Sequence, residues 1–402
     1  MRTTTRHWHA LAVAVWTTSS ALTAWAQGSE RPIRVGAVSA LAAQAGFPES
    51  SRAAERYFDA VNAAGGVNGR RIEYVSLDEG TAPPMAASAA RKLVADPEVV
   101  ALVGGSGLLD CSVNAATYAE AGLVSLQGAS VAPECFASSH IVPMNNGPYL
   151  GLENAMAFAV ENLKHQRVCV TILDLPGMAT GYKRSLDRLK ASLKSALDDV
   201  AYLQPEANFA DAVRERLARG CGAVVFTGHE PTVLQWLDAA QKQGMGNVDW
   251  IFLTPAYTDR VAKAIHSPNA RVYAMAEFEP WQSASLAMLD WKRVMRQGGL
   301  PLSALAQGGY VSAQVFVRVA RRIQGPITRA SFAQALRDLP ATELSFLGMP
   351  FQVGQAQAHA PNRASLPVTW RNGHWKIAAS VWIQAPPLAT ATTAATAATG
   401  AR

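Results

Sequence analysis

Two adjacent residues could carry acid–base chemistry. His229 and Glu230 follow a short apolar run suited to a buried strand, and an imidazole beside a carboxyl group can exchange protons with a substrate. One hypothesis is therefore an enzyme that uses this pair. A glutamate at the start of a helix, next to a histidine in a cleft, is more often a helix cap and a polar contact. We therefore favour a non-catalytic role for the pair.

A glycine-rich loop offers a second kind of chemistry. Residues 104–107 read GGSG between a predicted strand and a predicted helix, where free backbone N–H groups can hold an anion such as a carboxylate. A tight strand-to-helix turn explains the same glycines equally well. The dinucleotide-binding fingerprint is incomplete because Asp110 replaces its third glycine, and the nucleophile-elbow pattern fails at Leu108. The histidines lack metal-ligand spacing and no C-x-x-C pair occurs, so neither a metal nor a cofactor is predicted.

Composition restricts the class of protein. The chain has 402 residues, 49% of them hydrophobic and 16% charged, which supports large cores and argues against disorder. The formal net charge is +6 without a block of basic residues, so no nucleic-acid surface is predicted. After the N-terminal segment no apolar run reaches about 18 residues, which excludes a protein with many membrane spans.

The two ends of the chain are predicted to lie outside the folded body. Arg2 and Arg6 precede a short apolar stretch, and residues 24–26 read AWA, which is the layout of a cleaved secretory signal over residues 1–26. An N-terminal membrane anchor is the alternative, but the apolar stretch is too short to span a bilayer. Export would place the protein in an oxidising compartment. Residues 385–402 are mostly Ala, Thr and Pro, which predicts a disordered tail.

Strands and helices alternate between these ends. Short apolar runs are separated by amphipathic segments, which is typical of βαβ units with parallel strands. The pattern runs from residue 33 to 126 and restarts from 147 to 276, and in the second part it predicts a strand over 168–173 and a helix over 209–218. We therefore predict an α/β protein with two units of similar layout. Late helical segments are expected to pack on the first unit. A hairpin that turns at Asn372-Gly373, with strands over 366–370 and 375–383, is expected to pack on the second. The chain would then cross between the units three times.

A family resemblance agrees with this layout. Residues 56–71 read RYFDAVNAAGGVNGRR, which closely resembles a stretch typical of the branched-chain amino-acid-binding family of periplasmic receptors. The segments ARKLV at 90–94 and VVALVG at 99–104 resemble the same family, and the resemblance covers residues 33–383. It implies two doubly wound parallel-sheet lobes that are joined by three crossovers, with a solute bound between them.

The resemblance also implies how the chain is divided. The expected first lobe comprises residues 27–145 and 278–346, and the expected second lobe comprises residues 146–277 and 347–384. A hinge is expected near residues 143–145, 277–279 and 346–349. The implied function is that of a periplasmic, non-catalytic, monomeric protein that delivers a small polar or carboxylate-bearing solute to a membrane-embedded ABC-type importer. The alternatives are a ligand-sensing partner of a membrane receptor and an enzyme that uses His229 and Glu230.

Departures from the family pattern affect the expected ligand. Members that bind α-amino acids hold the carboxylate with Ser or Thr at positions that fall near Leu108 and Val131 here. They hold the ammonium with a carboxylate after a proline, whereas Pro255 is followed by Ala256. We therefore expect an organic acid or a polar neutral solute rather than a free branched-chain amino acid. The candidate ligand contacts are Ser39, Ser106, Gly107, Ala129, Ser130, Tyr149, His229 and Tyr257.

The cysteines give one further prediction. Cys111 and Cys135 each lie just past the tip of a predicted strand in the first unit, and we expect them to form a disulfide. Cys169 lies inside a predicted strand and Cys221 just ahead of one. Because neighbouring strand positions seldom have disulfide geometry, we expect these two thiols to be free and buried.

Overall fold

The computed structural model describes residues 31–42, 48–193, 197–356 and 358–385. The predicted signal segment, residues 1–26, lies outside these ranges. So does the predicted tail, except for Ala385, which is buried and whose N–H donates to the carbonyl of Arg363 at 3.0 Å. No helix in the described part of the chain combines the length and apolar character needed to cross a bilayer.

The first lobe is built on a sheet of five parallel strands in the order β2-β1-β3-β4-β5. The central strand of this sheet, β3, is buried on both faces. Ala101 and Val103 face one cluster of apolar side chains and Leu102 faces another, so helices cover both sides of the sheet. The strands are β1 (Ile33–Ser39), β2 (Ile72–Asp78), β3 (Val99–Ser106), β4 (Ser125–Ala129) and β5 (Ile141–Pro143).

Helices from two distant parts of the sequence cover this sheet. The early helices are α1 (Glu49–Ala63), α2 (Pro83–Val94) and α3 (Asp110–Glu120), and the late ones are α9 (Leu286–Gln297), α10 (Ala304–Ala320) and α11 (Arg329–Arg337). The α10 helix packs against α1, β3 and β4. Glycine is required there, because a Cβ on Gly309 would lie 1.8 Å from the Ser50 carbonyl oxygen and one on Gly308 would lie 2.0 Å from that of Gly128.

The late helices begin at side-chain caps. Ser285, Ser303 and Thr328 each accept a hydrogen bond from a backbone N–H in the first turn of α9, α10 and α11 respectively. Such a cap satisfies one of the N–H groups that a helix leaves without an internal partner, and it typically contributes about 1 kcal/mol. These hydroxyl residues therefore fix where the late helices start.

The second lobe contains a mixed sheet in the order β12-β11-β10-β9-β8-β6-β7, with β13 paired to β11. The strands β6 to β10 are parallel, and β11 and β12 form an antiparallel hairpin at one edge. The strands are β6 (Val168–Leu173), β7 (Leu197–Leu203), β8 (Ala223–Phe226), β9 (Asp249–Phe252), β10 (Arg271–Ala276), β11 (Ala364–Arg371), β12 (His374–Ile377) and β13 (Ile383–Gln384). The helices are α4 (Gly147–Ala157), α5 (Ala179–Leu193), α6 (Phe209–Ala218), α7 (Glu230–Lys242) and α8 (Asp259–Ala264).

The predicted architecture of two doubly wound α/β lobes with three crossovers is confirmed. The chain passes between the lobes after β5, after β10 and before β11. Asn362 joins all three passages, because its side-chain amide donates to the carbonyl oxygens of Met144 at 3.1 Å and Glu277 at 2.8 Å. Asn146 of the first passage donates to Ser365 Oγ at 2.7 Å, which ties that passage to the second sheet.

Each lobe contains one disulfide. The predicted bridge between Cys111 and Cys135 is confirmed, with Cα atoms 5.2 Å apart. The expectation that Cys169 and Cys221 are free is wrong, since they form a second bridge with a Cα separation of 5.8 Å. Cys221 lies in the turn before β8 rather than in a ladder position, and from there its side chain can reach the neighbouring strand β6.

Candidate functional site

The carboxyl ends of the first sheet bring three serines to one edge. Ser39 ends β1, Ser106 ends β3 and Ser130 follows β4, and all three are buried. Ser39 Oγ accepts a hydrogen bond from the backbone N–H of Ser106 at 3.3 Å. These serines were predicted from the sequence to line the cleft, and the fold places them on neighbouring strands.

A chain of polar contacts runs from Ser130 to the second lobe. The backbone N–H of Ser130 donates to Asn145 Oδ1 at 2.9 Å, and its carbonyl accepts from Asn145 Nδ2 at 3.0 Å. The Asn145 amide also donates to the carboxyl group of Glu277, which follows β10. The hydroxyl of Ser130 is buried and has no partner among the described residues. It is therefore a hydrogen-bonding group still available to a ligand. Ala129, also a predicted contact, is partly buried beside it.

The glycine-rich loop holds a carboxylate that belongs to the protein itself. Glu79 Oε1 accepts from the N–H of Leu108 at 2.9 Å, and Oε2 accepts from the N–H groups of Leu109 at 3.2 Å and Asp110 at 2.9 Å. Burial raises the pKa of Glu79, and these three donors lower it in part. Gly107 leaves room for this side chain, since a Cβ there would lie 2.2 Å from Glu79 Oε2.

A second carboxyl group lies beside this loop. Asp110 Oδ1 accepts from the Asn114 amide at 2.8 Å and the Tyr118 hydroxyl at 2.6 Å, and Oδ2 accepts from the Gln127 amide at 2.7 Å. Burial raises the pKa of Asp110, and the three hydrogen bonds oppose that shift. The start of α3 is therefore organised around two internal acids.

The second lobe contributes His229 at the carboxyl end of β8. Its Nδ1 lies 2.8 Å from the hydroxyl of Thr232. Burial of the ring lowers the pKa of His229, so the imidazole is neutral near pH 7. The carboxylate of Glu230 faces Arg260 instead, at 3.4 Å. The histidine and the acid thus have separate partners, which gives no support to an acid–base pair.

Tyr257 braces the second passage between the lobes. Its ring is 1% exposed and stacks on Trp281 with centroids 3.6 Å apart. Its hydroxyl accepts from the N–H of Trp281 at 3.0 Å and is hydrogen-bonded to the Gln282 side chain. Because the ring and the hydroxyl both have partners within the protein, Tyr257 contributes mainly to the packing of the hinge region.

Tyr149 lies where the lobes touch. Phe136 of the first lobe packs edge-on against it with centroids 6.0 Å apart, and the Tyr149 hydroxyl is buried without a partner among the described residues. Burial raises the pKa of Tyr149. A cavity of about 60 Å³ adjoins this ring, and it is lined by Pro133, Phe136, Asn146, Tyr149, Leu150, Gly181, Arg184 and Arg188.

The structure thus gathers Ser39, Ser106 and Ser130 at one lobe edge and places His229 at the other. Sequence reasoning missed the role of Glu79 and Asn145. Glu79 could have been found, because it directly follows Asp78, a strand-end residue of the predicted β2. In the described part of the chain there is no group of three or more His, Cys, Asp or Glu side chains that could hold a metal ion.

Comparison with known proteins decides the family. The family profile of periplasmic binding proteins matches residues 32–374. The chain belongs to the periplasmic binding protein family. Members of this family bind solutes and are not enzymes, so the enzyme hypothesis is not supported.

Curated relatives carry amino-acid-binding names. The chain is 28% identical over 222 residues to a Leu/Ile/Val-binding protein of Citrobacter freundii, which covers 52% of this chain and 58% of that protein. It is 32% identical over 93 residues to an amino acid binding protein of Pseudomonas aeruginosa, which covers 23% of this chain and 25% of that protein. The first match thus spans little more than half the length of that relative, and the second spans a quarter.

Solved structures share the fold across most of the chain. A branched-chain amino acid transporter substrate-binding protein from Streptococcus pneumoniae, in complex with isoleucine, superposes with a TM-score of 0.71 at 18% identity and covers 88% of this chain and 100% of that one. A fatty acid ABC transporter substrate-binding protein from Thermomonospora curvata gives a TM-score of 0.74 at 16% identity, covering 88% and 93% respectively. At these identities the likeness shows the fold alone.

Proposed function

We propose that this periplasmic binding protein is exported, captures a small solute between its two lobes and delivers it to a membrane-embedded ABC-type importer. The observation that carries the proposal is the meeting of the two sheet edges. Glu277 after β10 is joined to Ser130 after β4 through Asn145, so the carboxyl ends of both sheets lie at the passages. In open α/β sheets ligands bind outside the carboxyl ends of the strands.

Lobe closure would complete the site. In two-lobed binding proteins a few residues in the connecting segments absorb the motion, and here those segments are the passages that Asn362 joins. The proposed first lobe comprises residues 27–145 and 278–346 and the proposed second lobe residues 146–277 and 347–384. We propose that the protein acts as a monomer in the periplasm.

A thermal-shift screen tests the proposal. A solute that binds only the native state raises the melting temperature, so amino acids, amides, amines, carboxylic acids and sugars are each added to the purified protein. We expect at least one class to raise the melting temperature. If solutes of every class leave it unchanged, solute capture is contradicted.

Once the screen has identified a ligand, a substitution at Ser130 tests where it binds. Because its hydroxyl has no partner among the described residues, Ser130→Ala should leave the stability of the ligand-free protein unchanged. It should weaken the ligand by about 1 kcal/mol, the usual contribution of one hydrogen bond, as measured by calorimetry. Ser192→Ala, on an exposed part of α5, is the matched control and should change neither value. Equal affinities for Ser130→Ala and the unsubstituted protein would remove Ser130 from the site.

A further inference from the structure

Glu79 occupies one of the two places on the first lobe where a solute carboxylate would be expected to bind. The N–H groups that open a helix are well suited to an anion, because they lack internal partners and lie at the positive end of the helix dipole. At the start of α3, three such groups, from Leu108, Leu109 and Asp110, already donate to Glu79. Glu79 is 2% exposed and both of its carboxylate oxygens are used.

The loop is shaped around this internal carboxylate. Gly107 lies against Glu79 so closely that even a methyl group there would approach the carboxyl carbon to 2.4 Å. A solute carboxylate could reach the same N–H groups only by displacing Glu79. The helix start that looks like an anion site in the sequence is therefore filled from within.

The start of α4 is filled in the same way. This helix begins at the first passage, and the N–H groups of Asn146 and Gly147 donate to the carboxyl group of Glu277. Glu277 is buried, and it comes from the end of β10 in the second sheet. Two helix starts, one in each lobe, thus hold carboxyl groups of the protein itself.

The titratable side chains at the strand ends are acidic. Among the two residues that follow each of β1 to β10 in the described chain, Glu79, Asp174 and Glu277 have acidic side chains and none is Lys or Arg. Asp78, the last residue of β2, adds a fourth acid. A cleft lined by charge of one sign attracts ligands of the opposite sign. The basic groups nearby, Arg184, Arg188 and Arg260, lie on helices of the second lobe. Arg188 is paired with Glu153, and Arg260 faces Glu230.

Two further groups suit a nitrogen that donates hydrogen bonds. A serine hydroxyl and a neutral imidazole can both accept from an N–H. Ser130 Oγ is buried without a partner among the described residues, and His229 lies across the boundary on the second lobe.

We propose that Glu79 is a specificity-determining residue, which occupies one of the two carboxylate positions on the first lobe, so that the cleft selects solutes bearing a protonated amine and no carboxylate. This inference rests on the proposed solute-binding function. It goes beyond that function by naming the ligand class and the residue that sets it.

Four solutes with the same carbon branching separate the contributions of the two charged groups. Leucine carries an ammonium and a carboxylate, leucinamide an ammonium and an amide, 3-methylbutylamine an ammonium alone, and 4-methylpentanoate a carboxylate alone. Calorimetry on the full-length protein should rank leucinamide and 3-methylbutylamine at least tenfold above leucine and 4-methylpentanoate. The same ranking should hold between amines and carboxylates in the wider thermal-shift screen.

Replacing Glu79 tests the cause. In Glu79→Ala the three N–H groups lose their partner, and the affinity for 4-methylpentanoate should rise at least tenfold over the unsubstituted protein. Glu73→Ala is the matched control, because Glu73 is an exposed acid on the same strand, and it should show no gain. If Glu79→Ala does not fold, Glu79→Gln removes the charge while keeping the size, and a smaller gain is expected.

Several results would overturn the inference. One is preferential binding of a carboxylate by the unsubstituted protein. That result would count against the inference whether or not the Arg184→Gln variant loses the carboxylate binding. Another is a folded Glu79 variant with no gain in carboxylate affinity. A screen in which no solute of any class binds would contradict the proposed function as well, whereas carboxylate-selective binding would contradict this inference alone.

Discussion

Glu277 places a carboxyl group in the buried boundary between the lobes. Burial raises its pKa from 4.5 to about 7, while hydrogen bonds from Gly147, Asn146 and Asn145 oppose the shift. Because the pKa is higher in the folded state, the folded protein keeps a proton that the unfolded chain releases between pH 4.5 and about 7. This residue's contribution to stability is therefore fully present below pH 4.5 and is lost as the pH rises to about 7.

Glu277→Gln should remove that pH dependence. A shift of this size corresponds to about 3 kcal/mol between the two limits. The free energy of unfolding of the unsubstituted protein should thus fall more between pH 4.5 and 7.5 than that of the variant, by about 3 kcal/mol. Urea unfolding at several pH values measures the difference. The control Glu98→Gln, at an exposed site, should keep the pH profile of the unsubstituted protein. If Glu277→Gln also kept that profile, Glu277 would not be the source of the pH dependence.

At the scale of elements, the sequence predicted most strands and helices because apolar periodicity reports burial directly. The strand β6 and the helix α6 were predicted with their observed bounds. Short elements escaped prediction: β5 has three residues and α8 has six, too few to establish a period. The strand predicted over 375–383 is divided into β12 and β13, since pairing with β11 is interrupted between them.

The site was less predictable than the fold for a physical reason. Strand ends can be found from apolar runs, so Ser39, Ser106 and Ser130 were identified as edge residues. Which N–H groups remain free depends on side chains that arrive from other strands, and Glu79 arrives at the α3 loop from β2. Spacing in the sequence does not report that contact. For the same reason, the bridge between Cys169 and Cys221 depends on a turn whose geometry was not known.

The two disulfides should differ in their contribution to stability. In the chain-entropy description, a disulfide that closes a longer loop stabilises the folded protein more. Removing the Cys169–Cys221 bridge should therefore lower the free energy of unfolding by about 4 kcal/mol, and removing the Cys111–Cys135 bridge should lower it by about 3 kcal/mol. The sequence separations are 52 and 24 residues. Double Cys→Ala variants of each pair, compared by urea unfolding, measure both costs. Reactive thiols in the denatured, unreduced protein would contradict the pairing.

At the scale of the whole molecule, the described chain ends in a structured contact. The Ala385 carbonyl accepts from Arg363 Nε at 3.3 Å, and β13 pairs with β11 just before it. The following residues lack large apolar side chains after Leu388. Truncation after Ala385 should therefore leave the melting temperature and ligand affinity unchanged, whereas truncation after Val381, which deletes β13, should lower the melting temperature by several degrees. A calorimetric scan of both truncations is the measurement, and equal effects would contradict this boundary.

The late helix α10 has a consequence for synthesis. It covers a face of the first sheet against α1, β3 and β4, yet it follows all five parallel strands of the second sheet in the chain. A polypeptide made from its N-terminus therefore leaves the part of that face that α1 does not cover open to water until residue 320 has emerged from the ribosome. The lobe that is begun first is completed after the parallel core of its neighbour has been made. The N-terminal strands are thus the part of the nascent chain that needs a chaperone's protection for the longest time.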